Sequence, residues 1–301
     1  MTRRPQIALL PDGKRLHLQD GPIDLIVEAT GSETAVRAAY DAAVCRFTGL
    51  LDGLCMELGE LRKAAHPMHC VLHGEVARRM HAAVAPFAAD RFITPMAAVA
   101  GSVADEILGA MLEAASLDRA YVNNGGDIAL HLAGDQQFTV GLIDRPDSRG
   151  LLQTMVIHAD DPIRGIATSG RLGRSFSFGI ADAVTVLART ASEADAAATV
   201  IANAVDLPGH PAILRRPANE LQPDSDLGPR LVTREVGTLL AREITDALEA
   251  GAVCARECLA AGLIEGAALR LFGETDIVRA RALGMPESQL VHECAIENAR
   301  T

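Results

Sequence analysis

The chain has 301 residues, 49% of them hydrophobic and 22% charged, a balance that excludes a disordered polymer and leaves room for one large domain or two. Acidic residues outnumber basic ones 39 to 28, for a net charge of −11, which argues against a protein that grips a phosphate backbone. Aromatics are only 3% with no Trp, so platforms for stacking single-stranded nucleic acid are also scarce.

Residues 6–10, 15–18 and 23–27 are short apolar or alternating runs separated by Pro11-Asp12-Gly13 and Gly21-Pro22, the pattern of a strand meander. Ser32 or Thr34 then caps a helical segment expected to reach about Ala64, with Val36, Ala39, Tyr40, Ala43, Phe47, Leu50 and Leu54 at helical spacing. His66-Pro67 breaks it, and a second helix is expected over 68–84. Residues 96–115 are Ala-rich and helical. Their charges Asp105, Glu106 and Glu113 make a membrane span costly. Strands are expected at 120–122, 128–132, 137–143, 152–159, 164–167 and 183–188, and a helix capped by Ser192 at 192–205. Four prolines between Pro208 and Pro223 mark a loop region. A last strand is expected at 230–236, followed by a helix-rich, amphipathic stretch over 239–271, interrupted near Gly262. Strands and helices without strict alternation point to an α+β layered fold, with mixed, mostly antiparallel sheet packed with helices and a C-terminal helical appendage. The expected division is 1–228 for the main domain and 229–301 for a strand and helices packed on it.

The apolar run at 7–10 is too short for a secretory signal, so the cytoplasm is the expected compartment. The six cysteines (Cys45, Cys55, Cys70, Cys254, Cys258 and Cys294) are then expected as free thiols. Cys254 and Cys258 stand four apart with no second ligand pair nearby, and read as buried thiols.

Three motifs carry chemistry. Asn123-Asn124-Gly125-Gly126-Asp127 follows a strand. Its glycines permit close backbone approach to a ligand, and Asp127 can accept from ligand hydroxyls; the same residues also make a hairpin turn. Thr168-Ser169-Gly170, with Arg171 and Arg174 just after, offers hydroxyls, amides and guanidiniums to a phosphate, or forms a polar loop. No G-x-S-x-G elbow surrounds Ser169, which weighs against a nucleophile. Asp195 and Thr199 stand four apart on an Ala-rich helix, where their oxygens suit Mg²⁺, and Asn203 extends the stripe. His66, His69 and His73 are spaced for a transition metal only if His69 and His73 share a helix face; the alternative is a His-rich exposed helix.

Taken in order, Ala100-Gly101-Ser102-Val103-Ala104-Asp105, Asn123 to Ile128, Ala167 to Gly170, Val184-Thr185-Val186 and Ala194 to Thr199 resemble the motifs of the ApbE-like superfamily, the FAD:protein FMN transferases. Gly21 to Leu25, Phe92 to Gly101, Leu227 to Thr233 and Gly262 to Glu265 resemble its uncharacterised UPF0280 branch. The resemblance implies FAD in a cleft and Mg²⁺ near the pyrophosphate. Asp195, Thr199 and a backbone carbonyl near Ala98 would hold the metal. Asn124, Gly125, Gly126, Asp127, Thr168, Ser169, Gly170 and Arg171 would contact the ligand. It implies metal-assisted phosphoryl or FMN transfer, or FAD hydrolysis. A ligand-binding carrier on the same fold, or a small-molecule enzyme reusing the cleft, are the alternatives. Ala100 departs from the transferases' Lys, and residues 171–182 lack their histidine. Tyr40, Phe92 and Tyr121 are the candidates to stack a flavin ring. The partners expected are a nucleotide-like small molecule and, through the apolar stripe Leu239, Leu240, Ile244, Leu248 and Val253, a second copy in a homodimer; neither nucleic acid nor membrane is expected.

Overall fold

The computed structural model describes residues 5–143 and 151–279. Cys294 and the end of the 229–301 segment lie outside them. In chain order the elements are β1 (Gln6–Leu9), β2 (Leu16–Asp20), β3 (Ile23–Thr30), α1 (Glu33–Phe47), α2 (Leu50–Met56), α3 (Leu58–Leu61), α4 (Glu75–Val84), α5 (Val99–Ala114), β4 (Arg119–Asn124), β5 (Asp127–Leu132), β6 (Gln137–Ile143), β7 (Leu151–His158), β8 (Gly165–Ser169), β9 (Ala183–Ala188), α6 (Ala191–Ala204), β10 (Ile213–Pro217), α7 (Ala218–Leu221), β11 (Leu231–Val236), α8 (Ala241–Ala260), β12 (Gly266–Leu271) and β13 (Glu274–Arg279). Short 3-10 turns at Ala85–Phe87 and Pro95–Ala98 precede α5.

Nine strands form one sheet in the order β1-β2-β3-β4-β5-β8-β9-β12-β13, and each ladder is antiparallel. The alternation that marks the strands in the sequence sets their two faces. Leu16, Leu18, Leu25, Val27 and Val122 point toward α1, α4 and α5, and build one core with Phe47, Ile107 and Met111. Val184, Val186, Leu269 and Leu271 pack with α6 and α8 in a second. Each such Val, Leu or Ile contributes roughly 1.5–3 kcal/mol when fully buried. Leu130 and Ile166 face the other way and form a smaller core with Ile157 of β7 and Phe138 of β6, so that hairpin covers part of the opposite face. The segment Pro95–Ala114 is long and apolar enough to cross a membrane by length and composition. Here its face carrying Val103, Ala104, Ile107 and Met111 fills the first core.

Four sequence expectations change. The long helix to Ala64 is three helices, because Gly49 takes φ 84° and reverses the chain after α1. Ser32 does cap its start, accepting from Ala35 N at 3.2 Å. The helix expected at 68–84 begins only at Glu75, since His66 to His69 make a tight turn closed by a bridge between those two residues. The cap of α6 is Thr190, whose Oγ1 accepts from Glu193 N at 3.2 Å, rather than Ser192. The stretch 239–271 is helical only to Ala260. After Gly262 the chain turns back as β12 and β13, which extend the main sheet beyond β9. Their alternation was hidden within an amphipathic run, where two periods fit equally well.

Candidate functional site

Helices α5 and α6 cross antiparallel near their N-termini. A Cβ added at Gly101 would lie 2.2 Å from Ala191 O, so only glycine allows this approach. Each helix stops the other's open end with a carboxylate. Asp105 of α5 accepts from Ala191 N (3.0 Å) and Ser192 N (2.9 Å), the first amides of α6. Asp195 of α6 accepts from Gly101 N (3.0 Å) in the first turn of α5. Both carboxylates sit where unsatisfied N–H groups and the helix dipole favour negative charge. Asn124 completes the grip, donating from Nδ2 to Ala100 O at 3.1 Å.

The strand ends bring a third carboxylate. On β5, Ala129 faces the α5 core, so Asp127, two residues earlier, points to the same side. Its Oδ1 accepts from Thr168 N at 3.2 Å. Burial pushes the Asp127 carboxyl up to about 7, against that amide bond. Burial also holds Asp195 well above the ordinary carboxylate range, with Asp127 and then Asp105 adding repulsion and the Gly101 and Ala100 amides opposing. Burial raises Asp105 in the same direction, against its bonds to Ser192 and Ala191. Two carboxylates, Asp127 and Asp195, thus face each other in a partly dry cleft, and the Asp127 charge raises the cost of ionising Asp195. Thr199 lies one turn along α6 from Asp195, half-buried, and its hydroxyl has no partner among the described residues. Ala98 is the fully buried N-cap of α5 and could offer only its backbone. Among the described residues, no group of three or more His, Cys, Asp or Glu is arranged to hold a metal. A cation here would need hydroxyl and carbonyl oxygens beside the two carboxylates.

The other candidates divide. Ser169 alternates onto the helix side with Ala167 and joins the cleft. Thr168 points to the opposite face, where its Oγ1 meets Thr185 Oγ1 at 2.9 Å, and it reaches the cleft only through its backbone N–H. Gly125 and Gly126, at φ 66° and 118°, form the two-residue turn between β4 and β5, with Gly126 N donating to Asn123 Oδ1 at 2.9 Å. They also border a cavity of about 340 Å³ on the opposite face, with His17, Asp24 and Ile26. Gly170 fits closely over Asp182 O. Arg171 is tied to Asp182 and Ile180 O, and lies over the Phe272 ring. Arg174 is exposed beside Gly125, and no acceptor holds it among the described residues. Asn203 is engaged away from the cleft, accepting from Phe178 N and Ser177 Oγ.

His69 and His73 do not share a helix face, since α4 starts after both, and His73 N is bonded to Glu57 instead. The three aromatic candidates are engaged elsewhere. Tyr40 donates to Lys14 O, Phe92 lies under Arg230 and near Phe178, and Tyr121 packs on Phe138. Missed from sequence was the part played by Asp105 and Gly101. Their signals are Gly-x-x-x-Asp at the start of a helix with no side-chain cap and their place in the Ala100 to Asp105 motif, neither of which tells of a partner helix.

Comparison with known proteins follows this geometry. A family described as AbpE bacteria matches residues 7–277. A UPF0280 protein of Methanothrix thermoacetophila is 43% identical over 114 residues, 38% of this chain and 46% of that one. Another, of Archaeoglobus fulgidus, is 41% identical over 113 residues, 38% and 45% of the two chains. The matched segments span just under half the length of these relatives. Among solved structures, the apo form of the Pseudomonas stutzeri flavinyl transferase ApbE aligns over 93% of this chain and 96% of its own, with TM-score 0.46 and 11% identity. With the family match covering nearly the whole described chain, and part of the chain similar to UPF0280 proteins, this protein belongs to the ApbE-like superfamily.

Proposed function

We propose that the cleft between the N-terminus of α5 and the end of β8 binds a flavin nucleotide or related phosphorylated ligand together with Mg²⁺. The observation that carries this reading is the pair Asp127 and Asp195. Two carboxylates share a partly buried cleft with no cationic side chain between them among the described residues, an arrangement that a divalent cation would relieve. The donor chemistry fits the ion: hard oxygens from Asp195, Asp127, Thr199 and a carbonyl near Ala98, with water or phosphate oxygens filling the remainder. Bound there, Mg²⁺ would supply charge neutralisation to a phosphate group.

The chain's own groups then divide the work. Asp195 holds the cation while anchored to α5 through Gly101 N. Ser169 and Thr168 N line the strand side. Arg174 is exposed beside Gly125, at the turn between β4 and β5, and would meet an anionic tail there. The flavin itself is what family membership suggests. Ala100 leaves no lysine at the head of α5, and Arg171 is held by Asp182. These two features favour a binding or carrier role as the second reading.

The test is isothermal titration of Mg²⁺ alone, then of FAD, FMN, ADP and ATP with and without Mg²⁺, followed by chromatography of each mixture. Mg²⁺-dependent binding abolished by Asp195→Ala is the expected result. FMN and AMP in the mixture would make the protein an enzyme, and intact FAD a carrier. No binding of Mg²⁺ or of any nucleotide would overturn the reading.

A further inference from the structure

Helix α8 packs on α6 and the β12–β13 hairpin, far along the sheet from the carboxylate cleft, and carries two thiols one turn apart. Cys254 is 3% exposed and Cys258 is 5% exposed. Arg91, from the loop after α4, reaches across and donates from Nη1 to Cys254 Sγ at 2.9 Å. Its Nη2 lies 3.5 Å from Glu257 on the outer side of the same helix. Arg91 already has a carboxylate partner in Glu257, yet it donates a second N–H to sulfur, an acceptor that is weak as a thiol and strong as a thiolate. The arrangement becomes reasonable if the sulfur carries the charge.

We infer that Cys254 is held as a thiolate by Arg91 and is the oxidant-sensitive residue of this protein, a modification site for hydrogen peroxide and small soft electrophiles. The electrostatics agree. The hydrogen bond from the Cys258 thiol, then that from Arg91, pull the Cys254 thiol down to about 6, against burial and the Glu257 charge. Cys258 moves the opposite way and stays protonated, as the donor of that pair. Access is through Arg91. Its side chain is 39% exposed and its pair with Glu257 is a solvent-facing one, which holds it weakly. When the guanidinium swings outward, a molecule the size of peroxide reaches the sulfur.

The reaction balances without another component. The Cys254 thiolate attacks one peroxide oxygen, an S–O bond forms, the O–O bond breaks, and hydroxide leaves, taking up a proton from the mildly acidic buffer to give water. Sulfur is oxidised to the sulfenic acid and peroxide is reduced to water.

Cys45, Cys55 and Cys70 are exposed on the same folded chain and serve as internal controls. The experiment is a brief exposure of the native protein to hydrogen peroxide with a sulfenic-acid trap, or to iodoacetamide, at mildly acidic pH, with modified cysteines located by mass spectrometry. Cys254 is expected to react at least about tenfold faster than the exposed three. Arg91→Met should remove that advantage, and Arg91→Lys should restore much of it. Thiolate absorbance in the near ultraviolet, titrated with pH, reads the charge independently of access and should lose its low-pH step in Cys254→Ser. Thermal melts confirm that each variant is folded. Cys254 reacting slower than the exposed cysteines in the folded protein, or showing no low-pH thiolate step, overturns the inference and makes the pair inert core thiols.

Discussion

Replacing Asp195 by Asn tests the carboxylate pair directly. The amide keeps an acceptor for Gly101 N and removes one charge. In the wild-type protein without metal, Asp127 is raised from 3.8 to about 7. A folded-state value above the unfolded one means that the folded protein holds extra protons. The associated stability is complete below about pH 4 and is lost as pH rises through about 7. Ionising Asp127 in the fold therefore costs at most about 4 kcal/mol, taking 1.36 kcal/mol per pKa unit. Burial is the cause of that shift, and the repulsion between the two carboxylates falls on Asp195, which burial and then the Asp127 charge raise. Without metal, Asp195→Asn removes a group whose ionisation the fold opposes, so the variant should gain on the wild type as pH rises from about 5 to about 8. Each 1 kcal/mol of that gain reads as roughly 2–4 °C in Tm. Millimolar Mg²⁺ should reverse the order, stabilising the wild type at the higher pH and leaving the variant unmoved. Thermal melts at both pH values, with and without Mg²⁺, read all four states. If the variant is equally destabilised at both pH values and Mg²⁺ acts on both proteins alike, Asp195 is a helix cap only and the reasoning fails.

Glu106 bonds the guanidiniums of Arg46 and Arg79, each at 2.5 Å, and those bonds hold its carboxyl below the usual range despite burial. Its contribution is present above the unfolded carboxylate value and disappears as pH falls below it. Glu106→Gln should cost about 1–3 kcal/mol near neutrality and flatten the acid limb of a Tm-against-pH curve; an unchanged limb would place the acid sensitivity elsewhere. Gly101→Ala drives a methyl to 2.2 Å from Ala191 O and must part α5 from α6. A loss of about 2–4 kcal/mol by urea unfolding is expected, with Mg²⁺ stabilisation lost as well; a near-neutral result would mean that the helices can part at little cost.

Most of the strands were readable because one face of each is buried, and β6 and β9 match the expected bounds. The helices were harder at their ends. Gly49 could have been an interior residue or a left-handed break, and only packing of Leu50 and Leu54 against the sheet selects the break. In the candidate site, Asp127, Ser169, Asp195 and Thr199 were named from sequence; Asp127 and Asp195 lie close enough to repel, and strand alternation turns Ser169 to their side of the sheet. Thr168 belongs with them in sequence but not in space, because strand alternation turns its side chain through the sheet. Arg171 carries the charge expected of a phosphate ligand, yet Asp182 is placed to neutralise it. No local pattern announces such a partner, for it comes from the far side of a loop.

The exchange of carboxylates between α5 and α6 restricts how this protein can change. Its two contacts join residues 86 to 94 positions apart, so loops and hairpins between the helices can lengthen or shorten freely. Rotation is another matter. Inserting one residue early in either helix would turn its side chains by about 100°. That single step would unplug both helix ends and carry Asp195 out of the cleft. The helix pair works as a two-pin key, tolerant of what hangs from it and intolerant of any twist along its length.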